Sequence, residues 1–250
     1  MPLDRKLEIC CYSLESALLA GKSGANRIEL CDNYPEGGTT PSYGTIEVAV
    51  QKLSIPVNVI VRPRGGDFLY SDNEYESIKN DIAAIKAMEA NGIVVGFLKA
   101  NGDIDLKRTI EIVNIAKPLE VTFHRAFDMC RSPLEALEQL KKAGVNRVLT
   151  SGAKMKAVDG IDMISELVKR AGGKIVIMPG SGINENNLTE LVKRTGAYEY
   201  HSSAKKFISS KMTYFNKFIH MGGDASVNEY SVVSVDAAAI KKMIGILNNY

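Results

Sequence analysis

Short apolar segments alternate with amphipathic segments along the whole chain, and this alternation most constrains its fold. Each apolar segment has the length and the β-branched composition of a strand, and a helix-like pattern follows it. Repeated strand–helix units build parallel sheets with right-handed crossovers. Eight units can be counted, with strands predicted at residues 7–10, 27–31, 57–61, 92–97, 121–123, 147–150, 175–178 and 197–201.

Eight strand–helix units most simply close into a (β/α)8 barrel, and a doubly wound open sheet is the alternative. No linker rich in Pro, Gly or Ser divides the 250 residues, so we expect a single domain over residues 1–250. Residues 202–235 follow the last predicted strand as a long irregular segment, which suits a lid or a subunit contact. Asp236 then caps a predicted C-terminal helix.

The composition excludes several classes of protein. The chain is 45% hydrophobic and 24% charged, with a net charge of +2 and dispersed basic residues. No basic block favours nucleic acid, and no apolar run is long enough for a membrane span. Because no signal peptide is recognisable, we expect a cytoplasmic protein. Its four cysteines are then reduced thiols and not a disulfide framework.

Strand alternation predicts a group of charged side chains inside the barrel. Leu7, Ile9, Ile28, Leu30 and the valines at 57, 59 and 61 suit the face that packs against helices. The opposite face then holds residues that are unusual in a barrel interior, namely Glu8, Arg27, Glu29, Arg62, His124, Glu199 and His201. They form either a satisfied ion-pair network or a functional site. Glu8, Glu29 and His124 are the candidates for acid–base catalysis.

Further candidates lie where the predicted strands end, which is where parallel barrels bind their ligands. Arg62, Arg64, Arg125 and Asp128 suit an anionic ligand. Gly180, Ser181 and Gly182 follow strand seven, and Ser202 and Ser203 follow strand eight, at positions where barrels often bind phosphate. A tight turn explains the Gly-Ser-Gly sequence equally well. We count Ser151, Gly180, Gly182 and His201 among the candidate substrate-binding residues.

Two cysteines are predicted to share the inner face of neighbouring strands. Cys10 ends the first strand and Cys31 the second, and adjacent strands lie about 4.8 Å apart. Two thiolates at that spacing suit Cu(I), or Zn(II) if further donors join. Two small buried hydrophobic residues are the alternative. Cys11 points outward by alternation, and Cys130 lies in a loop.

Several long motifs resemble the CutC family. They are residues 27–31 (RIELC), 36–42 (EGGTTPS), 62–68 (RPRGGDF), 122–128 (TFHRAFD), 148–152 (VLTSG, which contains Ser151) and 178–180 (MPG). The resemblance implies a cytoplasmic TIM barrel linked to copper homeostasis that binds Cu(I) and assembles as a dimer or tetramer. Cysteines implicated in copper binding in an animal member match Cys10 and Cys31. Ser202 stands where some relatives carry a Cys, so a third thiol is missing.

Three hypotheses follow. The first is a cytoplasmic Cu(I)-binding protein with Cys10 and Cys31 as ligands. The second is a barrel enzyme, an isomerase, lyase or aldolase-like catalyst, that acts on a small anionic or carbohydrate-like substrate. In it, Arg62 and Arg125 hold the anion and the 180–182 turn assists. The third is a structural homo-oligomer without a site of its own. No nucleic acid or membrane is expected as a partner.

Overall fold

The computed structural model describes residues 4–219, 221 and 228–250. Within them, eight strands alternate with helices as the sequence predicts. The strands are β1 (Lys6–Cys11), β2 (Arg27–Leu30), β3 (Val57–Ile60), β4 (Gly92–Val95), β5 (Glu120–Phe123), β6 (Arg147–Thr150), β7 (Val176–Pro179) and β8 (Glu199–Ser202). The helices are α1 (Leu14–Lys22), α2 (Tyr43–Lys52), α3 (Asp72–Ala87), α4 (Leu106–Ala116), α5 (Pro133–Ala143), α6 (Ile161–Ala171), α7 (Leu188–Thr195) and α8 (Ala237–Asn248).

The strands form one parallel sheet that curves into a nearly closed barrel. Their order is β7-β6-β5-β4-β3-β2-β1-β8, with every hydrogen-bonded pair parallel. β7 and β8 lie side by side, and Ser202 Oγ at the end of β8 donates to the Ile183 carbonyl at 2.7 Å. The (β/α)8 barrel is therefore confirmed, and the doubly wound sheet is wrong because the strand order never reverses. The single domain over residues 1–250 stays a prediction.

The main hydrophobic core lies between the barrel and its helices. Leu7, Ile9, Ile28 and Leu30 are fully buried there, beside helix residues such as Ile78. A fully buried side chain of this size contributes about 1.5–3 kcal/mol to folding. The strict two-residue alternation of the strands therefore fixes which side chains enter the barrel.

The amino-terminal ends of the strands carry a buried ion-pair network, called here the barrel floor. Its buried members are Glu8, Arg27, Arg147 and Glu199, and the exposed Glu120 also pairs with Arg147. Arg27 contacts Glu8 at 2.5 Å and Glu199 at 2.6 Å, and Arg147 contacts the same Glu199 oxygen at 2.6 Å. Because these charges are paired, the barrel tolerates them in place of an aliphatic core.

The segment predicted as irregular at 202–235 contains an antiparallel hairpin. Its strands are β9 (Lys205–Ser209) and β10 (Ser231–Val235), and Phe207 pairs with Val233. The prediction missed it because each strand is only five residues long and their partners lie far apart in sequence. The β-branched residues of β10 suit a strand. Residues 220 and 222–227 lie outside the described residues.

The helix that was predicted from about Asn184 begins later, at Leu188. Asn184 Oδ1 accepts the amide N–H of Asn186, and Asn187 Oδ1 accepts that of Asn184, both at 2.9 Å. Asparagine side chains compete with helical hydrogen bonds in this way. The Gly-Ser-Gly turn after β7 is therefore separated from the start of α7, unlike the expected phosphate site.

We predict that Glu199→Gln lowers the free energy of unfolding by about 3 kcal/mol, because it leaves two buried guanidinium groups with one carboxylate charge fewer. Glu190→Gln is the matched control. Glu190 pairs with Arg194 on the surface, so its loss costs less than ~0.5 kcal/mol. Urea unfolding measures both variants, and equal effects would contradict the role of the floor.

The difference in folding stability between the wild type and Glu199→Gln should depend on pH. Burial opposes the ionisation of Glu199, but Arg147 and Arg27 outweigh it and hold its pKa below the ordinary value. A lowered pKa adds stability above the pKa of the unfolded chain, and this stability is lost as the pH falls through the folded pKa. The difference between wild type and Glu199→Gln is therefore largest near neutral pH and shrinks in acid.

Candidate functional site

Cys10 and Cys31 meet inside the barrel above the floor. β1 and β2 pair with Cys10 opposite Glu29, and the Sγ atoms of the two cysteines are 3.5 Å apart. Both side chains are buried against Ile60 and Val94. A carboxylate oxygen of Glu29 lies within 4.8 Å of both sulfur atoms. The cluster therefore offers two soft donors and one hard donor to a metal ion.

The two thiols differ in acidity. The hydrogen bond with Cys31 has the largest effect on Cys10 and lowers its pKa well below the ordinary value, with His201 adding to the effect. Burial, with Cys10 next to it, raises the pKa of Cys31. Cys11 faces the outer core, and burial raises its pKa also. Cys10 is thus the thiol that ionises first in this group.

His201 joins the floor to the cysteine layer. Its Nδ1 lies 2.8 Å from Glu8 Oε1, and its Nε2 lies 3.5 Å from Glu29 Oε2. Burial alone would lower the pKa of His201, but hydrogen bonds to Cys10 and Glu8 and the charge of Glu29 raise it well above the ordinary value. For Glu8, burial is outweighed by Arg27 and His201, which hold its pKa low. This arrangement favours a charged His201 beside an ionised Glu8.

A cavity of about 430 Å³ opens above these residues at the carboxyl ends of the strands. Cys10, Glu29, His124 and His201 contribute to its wall, and Arg62, Arg125, Asp128 and Gly182 also line it. Its size falls within the range of small-molecule sites. Eight of the predicted site residues therefore lie around one opening.

Five predicted site residues do not line this cavity. Glu8 and Cys31 lie one layer deeper, in the floor and the cysteine pair. Gly180 packs beneath His201, where an added Cβ would come within 3.3 Å of that side chain. Ser151 is fully buried and donates to Asp128 at 2.9 Å. Arg64 points away from the barrel.

Arg64 is the clearest departure from the sequence prediction. Its guanidinium contacts Glu74 of α3 at 2.5 Å and Asp67 at 3.1 Å. Its side chain is thus committed to the loop and the helix beyond β3, and its position does not fit the predicted anion-binding role. Residues after a strand end no longer alternate, so the sequence gives no rule for their direction.

Two other predicted ligand-binding residues, Asp128 and Arg125, form hydrogen bonds within the protein. Asp128 accepts from Thr150 Oγ1 at 2.5 Å, from the amides of Ser151 and Ala153, and from Arg125 Nε at 2.8 Å. It therefore clamps the loops after β5 and β6. Its carboxylate has little remaining capacity for a ligand. Arg125 is partly exposed, so it retains access to the cavity.

His124 has a fixed and neutral ring. Its Nδ1 accepts the amide N–H of Ala126 at 3.2 Å, so the proton of the neutral imidazole lies on Nε2. Burial, followed by the charge of Arg62, lowers the pKa of His124 to about 3. This environment favours a hydrogen-bond donor over the acid–base role predicted from the sequence.

Sequence reasoning missed the loop residues that complete the cavity. Tyr12 and Tyr34 line it, and Tyr34 accepts a hydrogen bond from Lys205 of β9 at 2.6 Å. Phe68 packs against His124, with ring centroids 4.8 Å apart. The motif at 62–68 contains Phe68 and the motif at 36–42 adjoins Tyr34, but nothing in the sequence marks Tyr12. Long-range contacts between loops leave no periodic signal.

The fold and the cavity define a TIM barrel with a ligand-sized opening at the carboxyl ends of its strands. Residues 5–206 match the sequence model of the CutC family. A Parabacteroides distasonis protein described as family protein CutC is 48% identical over 243 residues, covering 97% of this chain and 100% of its own. The copper homeostasis protein cutC homolog of Homo sapiens is 45% identical, covering 97% of this chain and 89% of its own.

Solved structures are similar to this chain in the same way as the sequence relatives are. The crystal structure described as the copper homeostasis protein CutC of Streptococcus agalactiae has a TM-score of 0.76 and 32% identity, covering 80% of this chain and 98% of its own. Thiamine phosphate pyrophosphorylase of Pyrococcus furiosus, at 17% identity and a TM-score of 0.61, shares the fold alone. The chain belongs to the CutC family. Among its described residues, no helix has the length and apolar character needed to cross a membrane.

Proposed function

We propose that this protein binds Cu(I) through the thiolates of Cys10 and Cys31. The observation that carries the proposal is the 3.5 Å separation of the two Sγ atoms in a buried layer beside the cavity. Thiolates are soft ligands of the kind that Cu(I) prefers. The copper homeostasis names of the human and mouse relatives support the same metal.

Charge balance supports Cu(I) at this position. Two thiolates and one Cu(I) carry a net charge of −1, and a buried charge needs a partner. His201, whose pKa is raised by its bonds to Cys10 and Glu8, supplies a positive charge next to Cys10. Zn(II) normally takes four donors. Ser202 supplies no thiolate, and its hydroxyl is already bonded to the Ile183 carbonyl and the Ala204 amide.

The proposed setting is a reducing compartment, the cytoplasm. All four cysteines are free, and the proposed ligands function only as thiols. Cell fractionation checks this location directly.

A homo-oligomer, a dimer or tetramer, is proposed as the assembled form. The segment around β9 exposes large apolar side chains, including Phe207, Phe215 and Phe218, and such patches mark contact surfaces. Analytical ultracentrifugation at micromolar concentration should give a species larger than a monomer. A monomer across the concentration range would contradict the proposal.

A second candidate function is an enzyme that acts on a small anionic or carbohydrate-like substrate. The observation that favours it is the cavity, which a two-cysteine copper site does not require. Glu29 and His201 lie on its wall as acid–base groups, and the reaction class, an isomerisation, a lyase or an aldolase-like reaction, stays open. Binding of an anion in this cavity is the first test of this function.

The decisive test of copper binding is an anaerobic competition titration with Cu(I). We expect tight binding by the wild type and its loss in Cys10→Ser/Cys31→Ser. The matched control is Cys11→Ser/Cys130→Ser, which removes the same number of thiols away from the pair and should bind as the wild type does. Equal affinity in all three proteins would contradict the proposal.

A further inference from the structure

The cavity contains a buried positive charge that no acidic side chain of the described residues pairs with. Arg62 is 6% exposed, and among the described residues no carboxylate oxygen lies within 4.0 Å of its guanidinium nitrogens. Its Nη1 donates to the carbonyls of Glu36 and Gly38 at 2.6 and 2.8 Å, and its Nη2 donates to Gly66 at 2.9 Å. These bonds hold two loops together, but neutral carbonyls leave the charge uncompensated.

An unsatisfied donor lies close to this charge. His124 is 5% exposed, and its Nε2 has no hydrogen-bond partner within the described part of the chain. The Nδ1–Cε1 edge of the ring is held against Gly96 and the Ala126 amide. The Nε2 side of the ring is not committed to these contacts, and His124 lines the cavity. A buried polar group without a partner costs about 1–3 kcal/mol, so it calls for a physical explanation.

One aromatic ring joins the two groups. The Phe68 ring centroid is 5.2 Å from Arg62 Cζ and 4.8 Å from the His124 ring centroid. The charge of Arg62 also contributes to the lowered pKa of His124, which places that charge within electrostatic reach of the imidazole. A cation, a neutral N–H donor and an apolar wall therefore surround one part of the cavity.

We propose that this part of the cavity binds a small organic anion, a carboxylate or a phosphate monoester, with one oxygen accepting the His124 Nε2–H and the charge of Arg62 compensating the anion. His124 acts as a fixed donor and keeps its proton. The apolar part of the ligand packs on Phe68. This inference rests on the second candidate function and names its ligand class, and it requires neither copper nor turnover.

The experiment follows the imidazole resonances of the 15N-labelled full chain, which contains three histidines. The probes are pyruvate, glycerol 3-phosphate and inorganic phosphate, each compared with sodium chloride at the same ionic strength. We expect a saturable shift of the His124 Nε2–H resonance with at least one probe and none with chloride. Pyruvate and the phosphates distinguish a carboxylate ligand from a phosphate ligand.

Two variants locate the binding. His124→Phe keeps a ring of similar size but loses the donor, so affinity for the active probe should fall about tenfold or more. Arg64→Gln removes a positive charge two positions from Arg62 but outside the cavity, so affinity should stay within about twofold.

Two results would overturn the inference: no shift beyond that of chloride with any probe, or unchanged affinity in His124→Phe. The first of these needs no variant, so the test holds even where a substitution impairs folding. Copper binding is tested separately by the Cu(I) titration. A negative result for the anion site therefore leaves the proposed copper site untouched, and the reverse also holds. A probe that binds without being consumed supports the anion site and does not decide the reaction class.

Discussion

The carboxylate of Glu8 is the interaction on which the interior of this barrel depends. One oxygen bonds Arg27 in the floor, and the other bonds His201 in the layer above. A barrel interior usually consists of Val, Ile and Leu, so buried charges must be compensated by one another. Glu8 serves both layers. It neutralises the floor and also fixes the orientation of the histidine that faces Cys10 and Glu29.

The resulting interior has two levels with different chemistry. The charges of the lower level are satisfied, because Glu8 and Glu199 compensate Arg27 and Arg147. The upper level retains two thiols, together with a guanidinium and an imidazole N–H that find no acidic or accepting partner, respectively, within the described part of the chain. Satisfied groups stabilise the fold, and unsatisfied groups indicate what a ligand would supply. The proposed copper site and the proposed anion site both belong to the upper level, and both proposals follow from that division.

The sequence predicts the direction of side chains wherever they alternate strictly along a strand. Residues within β1, β2, β5 and β8 pointed as predicted, so the meeting of Glu8, Glu29 and His201 and the pairing of Cys10 with Cys31 were foreseeable. Alternation ends with the strand. The direction of Arg64, the loop bonds of Arg62 and the contact of Phe68 with His124 depend on residues distant in sequence. The β9–β10 hairpin was missed for the same reason.

Glu8 couples the barrel floor to the protonation state of His201. Side-chain 15N shifts of His201, followed across pH in the wild type and in Glu8→Gln, test it most directly. Because an ionised carboxylate raises the pKa of a bonded histidine, His201 of the wild type should keep both ring protons at neutral pH. The variant should lose one at a lower pH. Equal titration in both proteins, or a wild-type pKa at the ordinary value of about 6.5, would contradict the account.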